Sequence, residues 1–329
     1  MCKSVEGADF GFSAWLSSLG GFSSKGCVRL NARRPIYEVR DATGRSIIVK
    51  LYGEDPVDEG EKERRLMKEY KALESLWNEG LGDGAYRVVK PLGYYLGNYY
   101  ALAEEKATGI NLLEQLRRKI KARGSLVNEI NGVAELLARI HMTKPTPKTW
   151  WVPDWRRKVL GVRAGSLENE LMEAGKIWEA EFPLPLPVVP LHGDPNPTNF
   201  CYDEFHLTAF DLQMYHYGYP VEDLGEFAAE LKFAFEQYAG NPSEAEPYIG
   251  IMFKTYSVRT GLSFETLTAY NPFFMGIWEL SMASNSFMAQ KRSWLIREAY
   301  RCWKFGLQYI KRRSMPYLLS ASSSGYHFH

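Results

Sequence analysis

Hydrophobic and polar residues alternate along two short stretches near the N-terminus. Residues 36–40 and 46–52 flank the sequence Asp-Ala-Thr-Gly-Arg at positions 41–45, a composition typical of a tight turn. Because successive side chains of a strand point to opposite faces, Lys50 shares a face with the apolar Ile48. The pattern predicts a β-hairpin that carries one lysine on an apolar strand.

Apolar residues recur at helical spacing between residues 61 and 79. The leucines of this segment form one stripe along the predicted helix, and Glu69 lies within that stripe. A carboxylate on a buried stripe needs a cationic partner, and Lys50 on the preceding strand is predicted to supply it. Glu74, on the neighbouring stripe, is the alternative partner.

Three further segments have regular patterns. Residues 99–104 are predicted to be a buried strand that runs into an extended segment up to Gly109. Residues 128–141 carry apolar residues at helical spacing, and His141 at the end of this helix is expected to belong to the core. Residues 166–182 are predicted to form another helix.

A polar stretch beyond these elements carries the clearest chemical signal. It reads His192-Gly-Asp194-Pro-Asn-Pro-Thr-Asn199, and an apolar run then ends at Asp211, twelve residues after Asn199. The spacing H-x-D-x-x-x-x-N is that of the catalytic loop of kinase-like enzymes. Carboxylate and amide oxygens suit Mg²⁺, and a carboxylate can accept a hydroxyl proton. The two prolines predict an extended loop over residues 194–199.

The residues after Asp211 narrow the class of enzyme. Asp211 is followed by Gly218, Pro220 and the pair Asp223-Leu224. Together with His-Gly-Asp in the loop, this order resembles the aminoglycoside phosphotransferase family, the choline-kinase-like branch of small-molecule kinases. The resemblance implies an α+β, two-lobed protein-kinase-like fold, with a small β-rich N-lobe and a large, mainly helical C-lobe.

The resemblance also implies domain boundaries. The N-lobe, with a five-stranded sheet and one helix, would cover residues 1–103. A hinge would follow at 104–112, and the C-lobe would cover 113–329 with a variable insertion at about 145–190.

In such a fold, some residues in and near the catalytic loop would take part in the reaction, and others would support the loop. The resemblance implies that Asp194 is the catalytic base and that Asn199 and Asp211 hold Mg²⁺. His192 is expected to pack within the fold. Asp223 is expected to hydrogen-bond the catalytic region from the start of the next helix.

The resemblance places the nucleotide on the N-lobe. Lys50, oriented by Glu69, would hold the α- and β-phosphates of ATP. Glu104 and Lys106 are the predicted nucleotide-binding residues of the hinge, whose backbone would take the base edge, so ATP and GTP both remain possible.

The loop that would cover the phosphates is not defined by the sequence. Glycines occur at 20–26 without the G-x-G-x-x-G spacing, and residues 31–35 contain no glycine. Backbone N–H groups around residues 31–34, or an arginine side chain there, are the alternatives.

The amino-acid composition limits the broad class of protein to which the chain can belong. The chain has 329 residues, of which 45% are hydrophobic, and no apolar run approaches the eighteen or so residues of a membrane span. The N-terminus lacks the pattern of a signal peptide. Four cysteines lie far apart, which favours neither a zinc site nor a disulfide framework. A cytoplasmic protein is expected.

Charge is distributed unevenly although the net charge is only +1. Residues 112–165 hold twelve Lys/Arg against four Asp/Glu, whereas residues 201–250 hold ten Asp/Glu against one Lys. The acidic, tyrosine-rich segment is expected to face the acceptor, which favours a cationic or neutral compound. Nucleic acid is not the expected partner, although the basic stretch at 117–123 keeps RNA as an alternative.

The sequence therefore predicts a kinase that transfers the γ-phosphoryl group of ATP to a hydroxyl of a small metabolite, such as an amino alcohol, an aminoglycoside-like compound or a sugar. Two alternatives remain. One is a kinase of a macromolecule, either protein or RNA, and the other is a non-catalytic nucleotide-binding scaffold.

Overall fold

A computed structural model describes residues 10–23, 27–31, 35–52, 58–143 and 152–312. The chain divides into two compact units: the first contains residues Met1–Ile110 and Cys201–Tyr215, and the second contains Asn111–Phe200 and His216–His329. Residues 201–215 thus cluster with the N-terminal part of the chain, although they follow the catalytic loop in sequence. Of the segments predicted to cover the phosphates, residues 24–26 and 32–34 lie outside the described residues.

The first unit is built on a five-stranded antiparallel sheet with the order β1-β2-β3-β6-β5. These strands are β1 (Cys27–Arg29), β2 (Ile36–Arg40), β3 (Ser46–Leu51), β5 (Pro91–Leu96) and β6 (Tyr100–Glu105). Strands β4 (Tyr86–Val88) and β10 (Leu207–Ala209) pair in parallel at one edge of a second, four-stranded sheet. The strands β7 (Ile110–Asn111) and β9 (Phe200–Tyr202) lie where the chain passes from one unit to the other.

The predicted β2–β3 hairpin is confirmed, and its turn has a clear local cause. Asp41 Oδ1 accepts hydrogen bonds from the N–H groups of Thr43 (2.8 Å) and Arg45 (3.0 Å). Gly44 has φ of +87°, a conformation that glycine adopts without steric strain. The turn therefore fixes the register that carries Lys50 on β3.

Two α-helices flank the sheet of the first unit among the described residues, α1 (Phe10–Ser18) and α2 (Glu59–Leu76). The one predicted helix corresponds to α2, whose N-cap Asp58 accepts a hydrogen bond from the N–H of Glu61. The apolar helix α1 had not been predicted, and its Phe12 is buried against strand residues such as Tyr37. The buried face of α2 includes Glu69, as the stripe predicted.

The second unit is mainly helical. Its helices are α3 (Leu112–Lys121), α4 (Val127–His141), α5 (Trp155–Val162), α6 (Glu168–Glu179), α7 (Pro220–Tyr238), α8 (Glu246–Thr260), α9 (Phe264–Ser284) and α10 (Arg292–Arg312). Two short strands, β8 (Val189–Leu191) and β11 (His216–Gly218), pair in antiparallel fashion. The helix predicted at 128–141 is confirmed, whereas the helix predicted at 166–182 is shorter, because a 3₁₀ turn occupies its start.

Helix α9 forms the centre of this unit, because it packs against both α7 and α10. Trp303 on α10 is buried and donates its indole N–H to the carbonyl of Phe273 at 2.9 Å. Trp155, on α5, packs edge-on to Trp303 with ring centroids 6.0 Å apart, so it anchors the segment that follows residue 151. Among the described residues, none of the helices combines the length and the apolar character that crossing a bilayer requires.

Candidate active site

Lys50 is the centre of a buried group of charges in the first unit. Its Nζ atom lies 2.7 Å from Glu69 Oε1, 3.1 Å from Glu104 Oε1 and 4.0 Å from Asp211 Oδ1. Tyr52 donates its hydroxyl hydrogen to the other oxygen of Glu69. Helix α2, strand β6 and the turn after β10 therefore each place one carboxylate near the single ammonium group that β3 carries.

The strand register explains how Glu104 reaches this group. Lys50 lies opposite Leu102 on β6, and Glu104 lies opposite Ile48 on β3. Because side chains alternate along a strand, Glu104 projects from the same face of the sheet as Lys50. Glu104 is 2% exposed and Lys50 is 7% exposed, so both charges are removed from bulk water.

Burial and charge act against each other in this group. Burial alone would lower the pKa of the Lys50 ammonium, yet the carboxylates of Glu104 and Glu69 outweigh it and raise that pKa. Burial raises the pKa of Glu104 to about 7, although the attraction of Lys50 works in the opposite direction. Lys50 is therefore a permanent cation, whereas Glu104 is a weaker acid than an ordinary glutamate.

The backbone at Asp211 is unusual. Asp211 has φ of +64° and ψ of +58°, the left-handed conformation that residues with a side chain rarely adopt. Its Oδ1 accepts a hydrogen bond of 2.8 Å from Gln213 Nε2. Such strained positions cluster at functional sites, and here the strain places a carboxylate next to Lys50.

The structure brings Glu69 to Lys50 and leaves Glu74 elsewhere. Glu74 is on the exposed side of α2, where it accepts a hydrogen bond of 2.9 Å from Tyr70. Lys106, the other residue of the predicted hinge, is not part of the Lys50 group. Its Nζ atom lies 3.1 Å from Glu38 Oε1 on β2.

In the second unit, the predicted catalytic loop is ordered by its own backbone. Gly193 has φ of +81°, and a 3₁₀ turn at Pro197–Asn199 follows, capped by the side chain of Asn196. The prediction of an extended loop over residues 194–199 is therefore wrong at Pro197–Asn199, because proline is tolerated in the first turn of a helix, where no N–H is needed. Asn199 donates its Nδ2–H to the backbone carbonyl of Asp194 at 2.9 Å.

Asp223, at the start of α7, supports this loop by hydrogen bonds to its backbone. Its two carboxylate oxygens accept the N–H groups of His192 (2.7 Å) and Gly193 (3.0 Å). His141 Nε2 lies 3.0 Å from Asp223 Oδ2, and its Nδ1 lies 2.8 Å from the hydroxyl of Tyr256. Burial works to raise the pKa of Asp223, but His141 and the loop N–H groups outweigh it and lower that pKa. Asp223 is therefore a charged support of the loop.

Two more carboxyl groups on α7 face Asp194. Burial, and then the charge and hydrogen bond of Asp194, raise the pKa of Glu226 well above its usual value. Burial also raises the pKa of Glu230 to about 7, opposed by a hydrogen bond from Trp278 Nε1 at 2.9 Å. Asn196 Nδ2 donates to the same Glu230 oxygen at 2.8 Å.

Sequence reasoning had not grouped these carboxylates with Asp194, although a signal was present. Asp223, Glu226 and Glu230 are spaced by three and then four residues, which places them on one face of a helix that begins soon after the loop. Two tyrosines of the segment that is expected to face the acceptor differ in their exposure. Tyr219 is buried and accepts the N–H of Leu184 at 3.2 Å, whereas Tyr217 is 37% exposed.

Each unit offers oxygen atoms of the kind that Mg²⁺ prefers. In the first unit these belong to the Asp211 carboxylate. In the second unit the nitrogen of the Asn199 amide is used by the Asp194 carbonyl, so the amide oxygen is the atom that suits a metal. Taken separately, each of these oxygen ligands is of a kind that suits a hard divalent cation.

The comparisons with known proteins agree with this chemistry. A profile described as the phosphotransferase enzyme family matches residues 29–245. No curated protein matches the sequence closely enough to count as a relative. Many solved structures share the fold.

Three of these structures illustrate the range of kinases that share the fold. The amicoumacin kinase hAmiN, in complex with AMP-PNP, Ca²⁺ and Ami, has a TM-score of 0.59 at 15% identity, covering 92% of this chain and 96% of the other. A choline/ethanolamine kinase family protein from Mesorhizobium loti has a TM-score of 0.58 at 14% identity, covering 95% and 98%. An aminoglycoside phosphotransferase, APH(4)-Ia, with AMP-PNP and hygromycin B has a TM-score of 0.56 at 12% identity, covering 90% and 98%.

The chain belongs to the phosphotransferase enzyme family, because the matched segment covers more than half of its length. It is thus a phosphotransferase. The structural likenesses identify its fold as the protein-kinase-like α+β fold, with a sheet-rich N-terminal region and a helical C-terminal part.

Proposed function

We propose that the protein transfers the γ-phosphoryl group of ATP, with Mg²⁺, to a hydroxyl group of a small cationic or neutral metabolite. Amino alcohols, aminoglycoside-like compounds and sugars are the proposed acceptor classes. A cytoplasmic location remains a prediction from the sequence.

The observation that carries this proposal is the position of Lys50. Its ammonium lies 2.7 Å from Glu69 and 4.0 Å from Asp211, so a fixed cation stands beside a carboxylate suited to a metal. Phosphoryl transfer is catalysed mainly by positioning and by neutralising phosphate charge. Lys50, oriented by Glu69, is therefore proposed to hold the α- and β-phosphates.

The remaining roles follow from the chemistry of the side chains. Asp211 and Asn199 are the proposed ligands of Mg²⁺, which would neutralise charge on the phosphates. The Asp194 carboxylate accepts the proton of the acceptor hydroxyl, and that oxygen forms a new bond to the γ-phosphorus. The bond from the γ-phosphorus to the bridging oxygen breaks, and ADP leaves with the electron pair.

The acceptor class is supported by the charges around Asp194. On α7, Glu226 is buried and Glu230 is half-buried, and both interact with Asp194. An additional phosphate group would be repelled by the Asp194 carboxylate, and by Glu226 and Glu230 to the extent that these two groups are ionised, whereas an amine would be attracted. Of the basic residues at 117–123 that kept RNA as an alternative, Arg117, Arg118 and Lys119 form ion pairs with glutamates of the same unit.

The proposal is tested by measuring ADP formation with purified protein, MgATP and a panel of acceptors. The panel contains amino alcohols, aminoglycosides, neutral sugars, a sugar phosphate and tRNA, and Asp211→Ala serves as the control for contaminating kinases. We expect turnover with an amine or a neutral sugar and none in the control. Phosphorylation of only the sugar phosphate or tRNA would overturn the acceptor class, and nucleotide binding without transfer to any acceptor would favour the scaffold.

The acceptor identified in this way allows a sharper test. Glu226→Gln and Tyr217→Phe are expected to raise the KM for the acceptor more than the KM for ATP. Glu244→Gln, which removes an exposed carboxylate from the same acidic segment, is the matched control and should change neither value. Equal changes in both KM values would contradict the proposed position of the acceptor.

A further inference from the structure

Glu104 is the feature of the Lys50 group that phosphoryl transfer does not require. A lysine that holds phosphates needs one carboxylate to orient it, and Glu69 already does so at 2.7 Å. Glu104 is a second carboxylate in direct contact with the same ammonium, at 3.1 Å. It comes from β6, the strand that pairs with β3, whereas Glu69 comes from α2.

The position of Glu104 is costly for the folded protein. It is 2% exposed, and its Oε2 has no hydrogen-bond partner among the described residues. A buried carboxylate oxygen without a partner loses its hydration and gains nothing in return. A neutral side chain of similar size would fill this place at lower cost, so stability alone does not account for the acid.

The charges around Glu104 make its effect on an anionic ligand predictable. The groups that interact with it are Lys50 on β3, Glu69 on α2, Asp211 after β10 and the hydroxyl of Tyr52. When all the carboxyl groups are ionised and Asp211 holds no Mg²⁺, three negative charges surround one positive charge. The field that a phosphate meets at Lys50 is then repulsive overall, and little water is present to screen it.

We propose that Glu104 competes with the nucleotide phosphates for Lys50, so that it weakens nucleotide binding when it is ionised and ceases to do so when it takes up a proton. This inference rests on the proposed function only in assuming that phosphates bind at Lys50. It assigns to Glu104 a role that opposes nucleotide binding, whereas a residue that only lines the nucleotide site would not oppose it. Glu104 acts through Lys50 and is therefore a positioning residue.

The charges around Glu104 determine how nucleotide binding should depend on pH. Burial raises the pKa of Glu104 to about 7 in the free protein. Phosphates at Lys50 would remove part of the attraction that keeps Glu104 ionised and would add negative charge, so the bound state favours the protonated form. Nucleotide binding near neutral pH should therefore take up a proton, and the dissociation constant should rise as the pH increases above 7.

Calorimetric titration with MgATP, in the absence of any acceptor, tests this directly. At pH 7.5, titrations in two buffers of different ionisation enthalpy measure the protons taken up by the wild-type protein. We expect a net uptake that Glu104→Gln abolishes. Between pH 6 and 8.5 the wild-type dissociation constant should rise about tenfold relative to that of Glu104→Gln, since each pH step above the pKa depletes the protonated form.

Matched variants separate this effect from a general change of charge or structure. Glu105→Gln removes the same charge from the exposed neighbour on β6 and should behave like the wild type. Glu104→Met, which cannot donate a hydrogen bond to phosphate, should bind MgATP as tightly at high pH as Glu104→Gln does. Thermal unfolding checks that each variant is folded.

The outcomes distinguish this inference from the proposed function. If the wild type binds MgATP without proton uptake, and Glu104→Gln binds no more tightly at pH 8.5, Glu104 is not a competitor and only this inference fails. If neither protein binds MgATP, Lys50 is not a phosphate site and the proposed function fails with it. Tighter binding by Glu105→Gln equal to that of Glu104→Gln would reduce the effect to overall charge and would also overturn the inference.

Discussion

Among the described residues, two lysines are buried against glutamates, one in each unit, and their surroundings differ. Lys232, on α7, is 0% exposed, and its Nζ atom lies 2.8 Å from Glu246 and 2.7 Å from Glu298. Lys50 is 7% exposed and contacts Glu69 and Glu104. By distance and burial alone the two pairs are nearly the same.

The difference lies in what else each lysine meets. The partners of Lys232 come from other helices, Glu246 from the start of α8 and Glu298 from the second turn of α10. Glu279 on α9 is also close by, with its pKa raised by burial and by the charge of Glu298. Glu279, Glu298 and Cys302 bring three possible metal ligands within 4.8 Å of one another. Lys232 already supplies a positive charge to Glu298, so this group joins helices without requiring an ion.

Lys50 instead has a strained aspartate nearby. Asp211 lies 4.0 Å from it in a left-handed backbone conformation, and that carboxylate follows the predicted catalytic loop in sequence. A buried lysine–glutamate pair is therefore weak support for a site, because such pairs also have a structural use. The carboxylate of Asp211, which could bind a metal ion, is what distinguishes the functional Lys50 pair from the structural Lys232 pair.

The largest expected effect is on catalysis through the aspartates. Asp211→Ala should abolish Mg²⁺-dependent transfer, whereas Asp194→Asn should keep nucleotide binding and lower kcat by about 10²–10⁴, the usual range for a lost general base. Steady-state kinetics with the acceptor found in the panel measures both effects. Asp83→Asn, at an exposed position, is the control. If both aspartate variants turn over nearly as fast as the wild type, Asp211 is not a functional group. Its presence then no longer distinguishes Lys50 from Lys232.

A smaller effect is expected from the partner of Lys50. Glu69→Gln leaves Lys50 in place but weakens its orientation, so kcat/KM for ATP should fall by about 10²-fold. Glu74→Gln, on the same helix but exposed, should change it little, because exposed contacts contribute little. If Glu74→Gln proves the more damaging change, Lys50 is oriented by a different face of α2 than the structure indicates.

The smallest effect on activity is expected from the structural lysine. Lys232→Met leaves Glu246 and Glu298 without their buried cation, which should lower the free energy of unfolding by about 3–5 kcal/mol. Denaturant titration measures this loss. At a temperature where the variant is folded, its kcat should match that of the wild type. A loss of kcat with unchanged stability would show that the Lys232 group belongs to the active site.

Local patterns predicted much of the fold. The alternation at residues 36–52 and the leucine stripe around Glu69 specify a hairpin and a helix, because each depends on residues close in sequence. Helix α1 was missed because it is short and carries no charged residue, so its apolar and polar positions form only a weak helical period. The short turn at Pro197–Asn199 was missed because proline was taken as a helix breaker, although it fits a first helical position.

The site was predictable where one residue had a defined spacing from another. The H-x-D-x-x-x-x-N motif identified the loop, and the stripe on α2 favoured Glu69 over Glu74. The contact of Glu104 with Lys50 was not predictable, because it depends on the register between β3 and β6, which are far apart in sequence. The grouping of Glu230 with Asp194 likewise depends on where α7 packs.

The central claim, that Lys50 is the functional lysine and Lys232 the structural one, is tested most directly by equilibrium titration of MgATP into Lys50→Met and Lys232→Met side by side. Both variants are measured at a low temperature at which circular dichroism shows them to be folded. Lys50→Met should bind about tenfold to hundredfold more weakly than the wild type, the loss of a hydrogen bond to a charged group. Lys232→Met should bind like the wild type. Unchanged affinity in Lys50→Met, or an equal loss in both variants, would contradict the account.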